Sequence, residues 1–111
     1  AFYVDVSSYP SGHTAFLQGL LSQYAAKREI IILGKNGDPQ KEQLLQALQK
    51  RFVPFDIILT AETGKELAKL APFTKDYKTI DGKTTVYICE NYSCRQPITD
   101  IDEVMEQLFH N

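Results

Sequence analysis

The sequence has no tryptophan, one methionine, two cysteines and two histidines in 111 residues, and each scarcity removes a class of chemistry. A structural zinc site needs about four ligands, and His13 and His110 stand at opposite ends of the chain, so no metal is expected. No Gly-x-x-x-x-Gly-Lys-Ser/Thr or Gly-x-Gly-x-x-Gly run is present. The turn Gly34-Lys35-Asn36-Gly37-Asp38-Pro39 instead puts a carboxylate where a phosphate would sit. It reads as a turn before a capped helix, and no cofactor is expected. Twelve basic and fourteen acidic side chains, a net charge of −2, leave no field of one sign for nucleic acid or anionic lipid. The longest apolar runs, such as Ile30 to Leu33, fall far short of the ~20 residues that cross a bilayer. No charged-then-apolar leader opens the chain. Neither nucleic acid nor membrane is an expected partner, and the expected location is the cytoplasm.

What is there is a pattern of strands and helices. With 43% hydrophobic residues the chain can bury a core without staples. Phe16, Leu17, Leu20, Leu21 and Tyr24 recur at helical spacing after Pro10-Ser11-Gly12, which predicts a first helix over about 13–26. Glu29-Ile30-Ile31-Ile32-Leu33-Gly34 and Asp56-Ile57-Ile58-Leu59-Thr60 read as strands buried on both faces. Between them Asp38 caps and Pro39 opens a helix with a stripe of Leu44, Leu45, Leu48 and Phe52, ended by Pro54. Thr63 and Glu66 form a capping box for a short helix. Asp81-Gly82, between Tyr77–Ile80 and Thr84–Cys89, predicts a hairpin whose second arm is the third core strand. Thr99 with Asp102 is read as the cap of a last helix bearing Ile101, Val104, Met105, Leu108 and Phe109. The expected fold is α/β: a small three-layer domain with mainly parallel strands at 29–33, 56–60 and 84–89 and flanking helices. Ala1–Tyr9 and the first helix are expected to stand outside it.

In such sheets ligands lie beyond the carboxyl ends of the strands. Residues 34–38, 61–64 and 90–94 are therefore expected to converge on one edge. Cys89 and Cys94 could form a disulfide, supply half of a metal site, or be two unrelated thiols. The spacing is not Cys-x-x-Cys, and the plainest reading is Cys89 as a small core residue with Cys94 packed in the turn. Glu90, Asn91 and Arg95 are the candidate ligand contacts, with Arg95 a partner for an anion. Asn91-Tyr92-Ser93 matches a glycosylation acceptor, but nothing in the sequence indicates secretion.

Tyr87-Ile88-Cys89-Glu90-Asn91, Cys94 and Pro97-Ile98-Thr99-Asp100, preceded by Asp81-Gly82-Lys83, resemble the closing segment of the thioredoxin domain-containing proteins of the spermatogenesis-associated family. Ser8-Tyr9-Pro10-Ser11-Gly12-His13-Thr14 and Glu29 to Gly34 fit the same region, so the resemblance spans nearly the whole chain. It implies a parent protein that joins a thioredoxin-like domain to an (α/α) barrel similar to sugar epimerases and six-hairpin glycosidases, with an α/β region last. A start at Ala1 fits an excised piece of such a protein. On this reading residues 1–27 are the last helical segment of the barrel and 28–111 a small α/β domain. The resemblance implies an accessory module, non-catalytic alone, whose partner is the rest of the parent chain. The alternative is that Cys89, Cys94, Glu90 or His13 joins redox or carbohydrate-directed chemistry of the parent, with His13 and Tyr9 facing a carbohydrate-like cleft. A first helix without its neighbours would also favour self-association of the chain.

Overall fold

The computed structural model of the chain describes residues 2–6, 28–50, 56–68, 76–90 and 93–109. The helix predicted near 13–26, His13, Phe52 and Asn91 lie outside these residues. The elements are β1 (Phe2–Asp5), β2 (Arg28–Leu33), α1 (Pro39–Lys50), β3 (Asp56–Ala61), α2 (Gly64–Leu67), β4 (Thr85–Glu90), β5 (Ser93–Cys94) and α3 (Ile101–Phe109).

The apolar runs in β2 and β3 can be buried only if both faces of the sheet are covered, and Ile30 to Leu33 are all fully buried. One face carries Ile30, Ile32, Ile58, Val86 and Ile88 under Leu44 and Leu48 of α1 and Val104 and Leu108 of α3. The other carries Ile31, Leu33, Ile57, Leu59, Tyr87 and Cys89 with Val4 of β1 and Leu67 of α2. The helix stripes expected from periodicity are the ones that face the sheet, with Leu45, Met105 and Phe109 at their margins.

The sheet has five strands in the order β1-β3-β2-β4-β5. β3 runs parallel to β1 and β2, but β4 is antiparallel to β2 and β5. The mainly parallel sheet expected from the strand–helix alternation is therefore mixed. The chain re-enters the sheet from the end at which β3 leaves it, so β4 must run back against β2 and β3. Leu33 accordingly pairs with Ala61, where β3 ends, and with Thr85, where β4 begins. β1 was also missed: Phe2–Asp5, expected to stand outside the unit, pairs along β3 as an edge strand.

Local signals held more closely. Gln40 N–H donates to the Asp38 carboxylate at 3.0 Å, capping α1, and Glu66 N–H donates to Thr63 Oγ1 at 3.1 Å, capping α2. α3 is capped one residue later than expected, by Asp100, which accepts from Asp102 N–H at 2.9 Å. Thr99 instead offers its carbonyl to the Gln40 side-chain amide at 2.6 Å, tying α3 to α1. Asp81 and Gly82 turn with φ of 53° and 69°, the left-handed pair of a tight hairpin turn. Its first arm is a single bridge from Ile80 to Lys83 rather than a strand. Side chains of β4 hold that arm: Thr85 Oγ1 accepts from Ile80 N–H, and the Tyr87 hydroxyl accepts from Lys78 N–H and donates to Lys78 O.

Candidate functional site

Because β4 is antiparallel, the three sequence regions expected to share one edge are divided between opposite ends of the sheet. Residues 34–38 and 61–64 follow the carboxyl ends of β2 and β3, while Glu90, Ser93 and Cys94 lie at the amino end of β2, where Cys89 pairs with Glu29. There are thus two candidate sites.

At the carboxyl end the polar groups close on one another. Lys41 is only 4% exposed, and its ammonium donates to Gly34 O at 3.0 Å and Asn36 Oδ1 at 3.3 Å. Thr84 Oγ1 donates to Asp38 Oδ2 at 2.7 Å. A Cβ on Gly34 would lie 2.6 Å from Thr84 Oγ1, so only glycine permits this approach. The N–H groups of Gly34, Asp38 and Gln40 donate to Ala61 O, Lys35 O and the Asp38 carboxylate. A phosphate-binding loop needs such groups free to point at the anion, and these are committed. Sequence reasoning missed Lys41. The available signal was a cation in the first turn of a helix, where the macrodipole disfavours it unless it has another task.

At the amino end two polar groupings sit on opposite faces of the sheet. Arg28 Nη2 and Nε grip the Asp56 carboxylate at 2.7 and 3.2 Å, and Arg28 Nη1 donates to Leu108 O at 3.2 Å. With Asp56 only 2% exposed, this pair locks the register of β2 and β3 to the end of α3. On the other face Cys89 and Cys94, opposite each other on β4 and β5, form a disulfide. They are therefore neither separate thiols nor half of a metal site, and among the described residues no cluster of three His, Cys, Asp or Glu side chains could hold a metal ion. Cys89 is 1% exposed and Cys94 partly exposed. The Tyr77 hydroxyl donates to Cys94 Sγ at 2.7 Å, and its ring stacks on Tyr87 with centroids 4.1 Å apart. Glu29 is the direct cross-strand partner of Cys89, which puts its carboxyl on the same face. Burial holds the Glu29 carboxyl above the usual carboxylate range. Burial also raises the Tyr77 phenol, with Tyr87 and Glu29 adding to the effect.

Of the expected ligand contacts, Glu90 and Arg95 meet each other in an ion pair at 3.4 Å, both side chains about half exposed (48% and 47%). Arg95 also donates to Gln107 Oε1 at 3.3 Å and borders an open cleft of about 430 Å³ with Glu103 and Glu106. One guanidinium already paired, with two more carboxylates beside it, makes a poor anion receptor.

No family model matches the chain and no solved structure matches it. Spermatogenesis-associated protein 20 of Rattus norvegicus is 26% identical over 110 residues, 97% of this chain. The chain is homologous to spermatogenesis-associated protein 20. The proteins of that name from Homo sapiens and Mus musculus are 24% and 27% identical over the same share. The chain spans 14% of the length of each of these relatives and corresponds to a C-terminal part of spermatogenesis-associated protein 20.

Proposed function

We propose that the chain is an accessory α/β module of a longer protein, packing on a helical barrel and contributing fold rather than substrate-converting residues. The observation that carries this reading is the closed state of the polar groups beyond the carboxyl ends of β2 and β3. Lys41 donates to the Gly34 carbonyl and Thr84 to the Asp38 carboxylate, where an open α/β sheet would otherwise place a ligand. Supporting it, the chain covers only 14% of its relatives' length, the proportion of a terminal domain.

In this reading residues 28–111 together with β1 form the module. Its partner is the remainder of the parent chain and its location the cytoplasm. Any carbohydrate-directed chemistry belongs to the barrel. No helix of the described residues is long and apolar enough to cross a membrane.

The test is to produce the longer protein with and without these residues. Deletion is expected to lower its thermal midpoint and soluble yield, while Glu90→Ala and Arg95→Ala leave turnover unchanged. Loss of turnover in either point variant with folding intact would replace the accessory role with a catalytic one.

A further inference from the structure

We propose that the Cys89–Cys94 cystine is a thiol–disulfide exchange site, entered through Cys94 by an external thiol and served by Glu29 as proton source. Three observations converge on it. The first is asymmetry: Cys89 is 1% exposed and Cys94 partly exposed, so an incoming thiolate reaches only one sulfur. The second is that the segment around Cys94 has backbone ties to β4 besides the bond. Arg95 N–H donates to Ile88 O at 2.9 Å, and Val86 and Ile98 exchange backbone hydrogen bonds at 2.8 and 2.9 Å. The third is the set of proton-bearing groups around the sulfurs. The Tyr77 hydroxyl lies 2.7 Å from Cys94 Sγ, and Glu29 stands opposite Cys89. A cystine serving only as a staple needs neither.

The chemistry balances with a dithiol as reductant. Its thiolate attacks Cys94 Sγ, a new S–S bond forms there, and the Cys89–Cys94 bond breaks with its electron pair on Cys89. The Cys89 thiolate appears in a buried setting that disfavours charge, and in the molecules whose Glu29 is protonated it takes that proton, leaving a carboxylate. Burial of Glu29 enlarges that protonated fraction at a given pH. The second thiolate of the reductant then attacks its own sulfur in the mixed disulfide. Cys94 departs as a thiolate that the Tyr77 hydroxyl stabilises. The cystine gains two electrons and the reductant becomes a disulfide.

The probes are glutathione and dithiothreitol. The folded chain is incubated with glutathione, quenched with acid, alkylated and mapped by mass spectrometry. The expected first adduct is on Cys94, and the Cys89→Ser variant should capture glutathione disulfide at least about tenfold faster than Cys94→Ser. Circular dichroism should be unchanged on reduction. If either variant fails to fold, adduct mapping on the unaltered chain decides alone. A cystine reduced only after denaturation, or adducts distributed equally over both sulfurs, overturns the proposal. Glu29→Gln should slow reduction by dithiothreitol about tenfold at acidic pH, where Glu29 carries its proton, with the difference shrinking toward pH 7; a rate unchanged at every pH, or a faster one, would make Glu29 purely structural.

Discussion

At the carboxyl end of β2 a lysine is closed on the Gly34 carbonyl and a threonine on an aspartate. At its amino end a glutamate, two tyrosines and a cystine share one face of the sheet. The first arrangement leaves its principal donors and acceptors occupied, so a change there leaves a buried group unpaired and is felt in stability. The second surrounds a bond that can open with groups that can move protons, so a change there is felt in reactivity. Burial separates the two: Lys41 is 4% exposed, whereas Glu29 and Cys94 are only partly covered.

The sharpest way to break this contrast is on the opposite face of the amino end. If only the cystine face is reactive, the Arg28–Asp56 pair behind it must act as structure. Asp56→Ala strands the Arg28 guanidinium and is expected to lower unfolding free energy by about 3–5 kcal/mol, read from urea denaturation. A loss below about 1 kcal/mol, the range of an exposed pair, would mean that the whole amino end is soft. At the carboxyl end, Lys41→Met deprives the Gly34 carbonyl of its side-chain donor and should cost about 1–3 kcal/mol. Gly34→Ala drives a methyl into Thr84 Oγ1 and should cost about 1–3 kcal/mol. Either substitution with a denaturation midpoint like that of the unaltered chain would show that end to be open rather than closed.

The cystine should matter less to stability than either. Its cysteines are five apart in sequence, and closing so short a loop is worth about 2 kcal/mol by the chain-entropy relation, against about 4.7 for a loop of 100 residues. The double change Cys89→Ser with Cys94→Ser should therefore lower stability by no more than about 2 kcal/mol, checked by calorimetry. A larger loss would make the bond a staple and draw the two ends of the sheet together in kind.

Much of this architecture is legible in the residues themselves, and the part that is not has a physical cause. Asp38-Pro39, Thr63 with Glu66, Asp81-Gly82 and the four-residue run Ile30–Leu33 state their local structures because each depends on groups a few positions apart. The direction of β4 does not, since it depends on the end of the sheet to which the chain returns after β3. That one reversal moved Glu90 and Arg95 away from the Gly34 loop. β1 escaped notice because four residues give little periodicity to read. The cysteine pairing stayed open for a related reason: a Cys-x4-Cys spacing closes only if a tight return places the two residues opposite each other, and β5 is two residues long. Glu29 was invisible as a partner because its neighbour comes from another strand, and Lys41 because its partner is a backbone carbonyl in the preceding loop, which no side-chain pattern marks.

The smallest effect separates the two ends most cleanly, because it has the opposite sign. Burial raises the Glu29 carboxyl above its ordinary value of 4.5, so across the interval between the unfolded and folded values the native chain holds more proton than the unfolded one. Stability must then fall as pH rises through that interval, being full below the unfolded value and reduced above the folded one. Glu29→Gln has no proton to lose. It should match the unaltered chain below about pH 4, then melt at a slightly higher temperature at pH 7, since a neutral amide avoids the desolvation that the carboxylate suffers. Thermal melts of both proteins across acidic to neutral pH provide the measurement. A variant that melts lower at pH 7 would mean that Glu29 holds the strands together, as Lys41 does at the other end, and would take away the proton source assigned to the cystine.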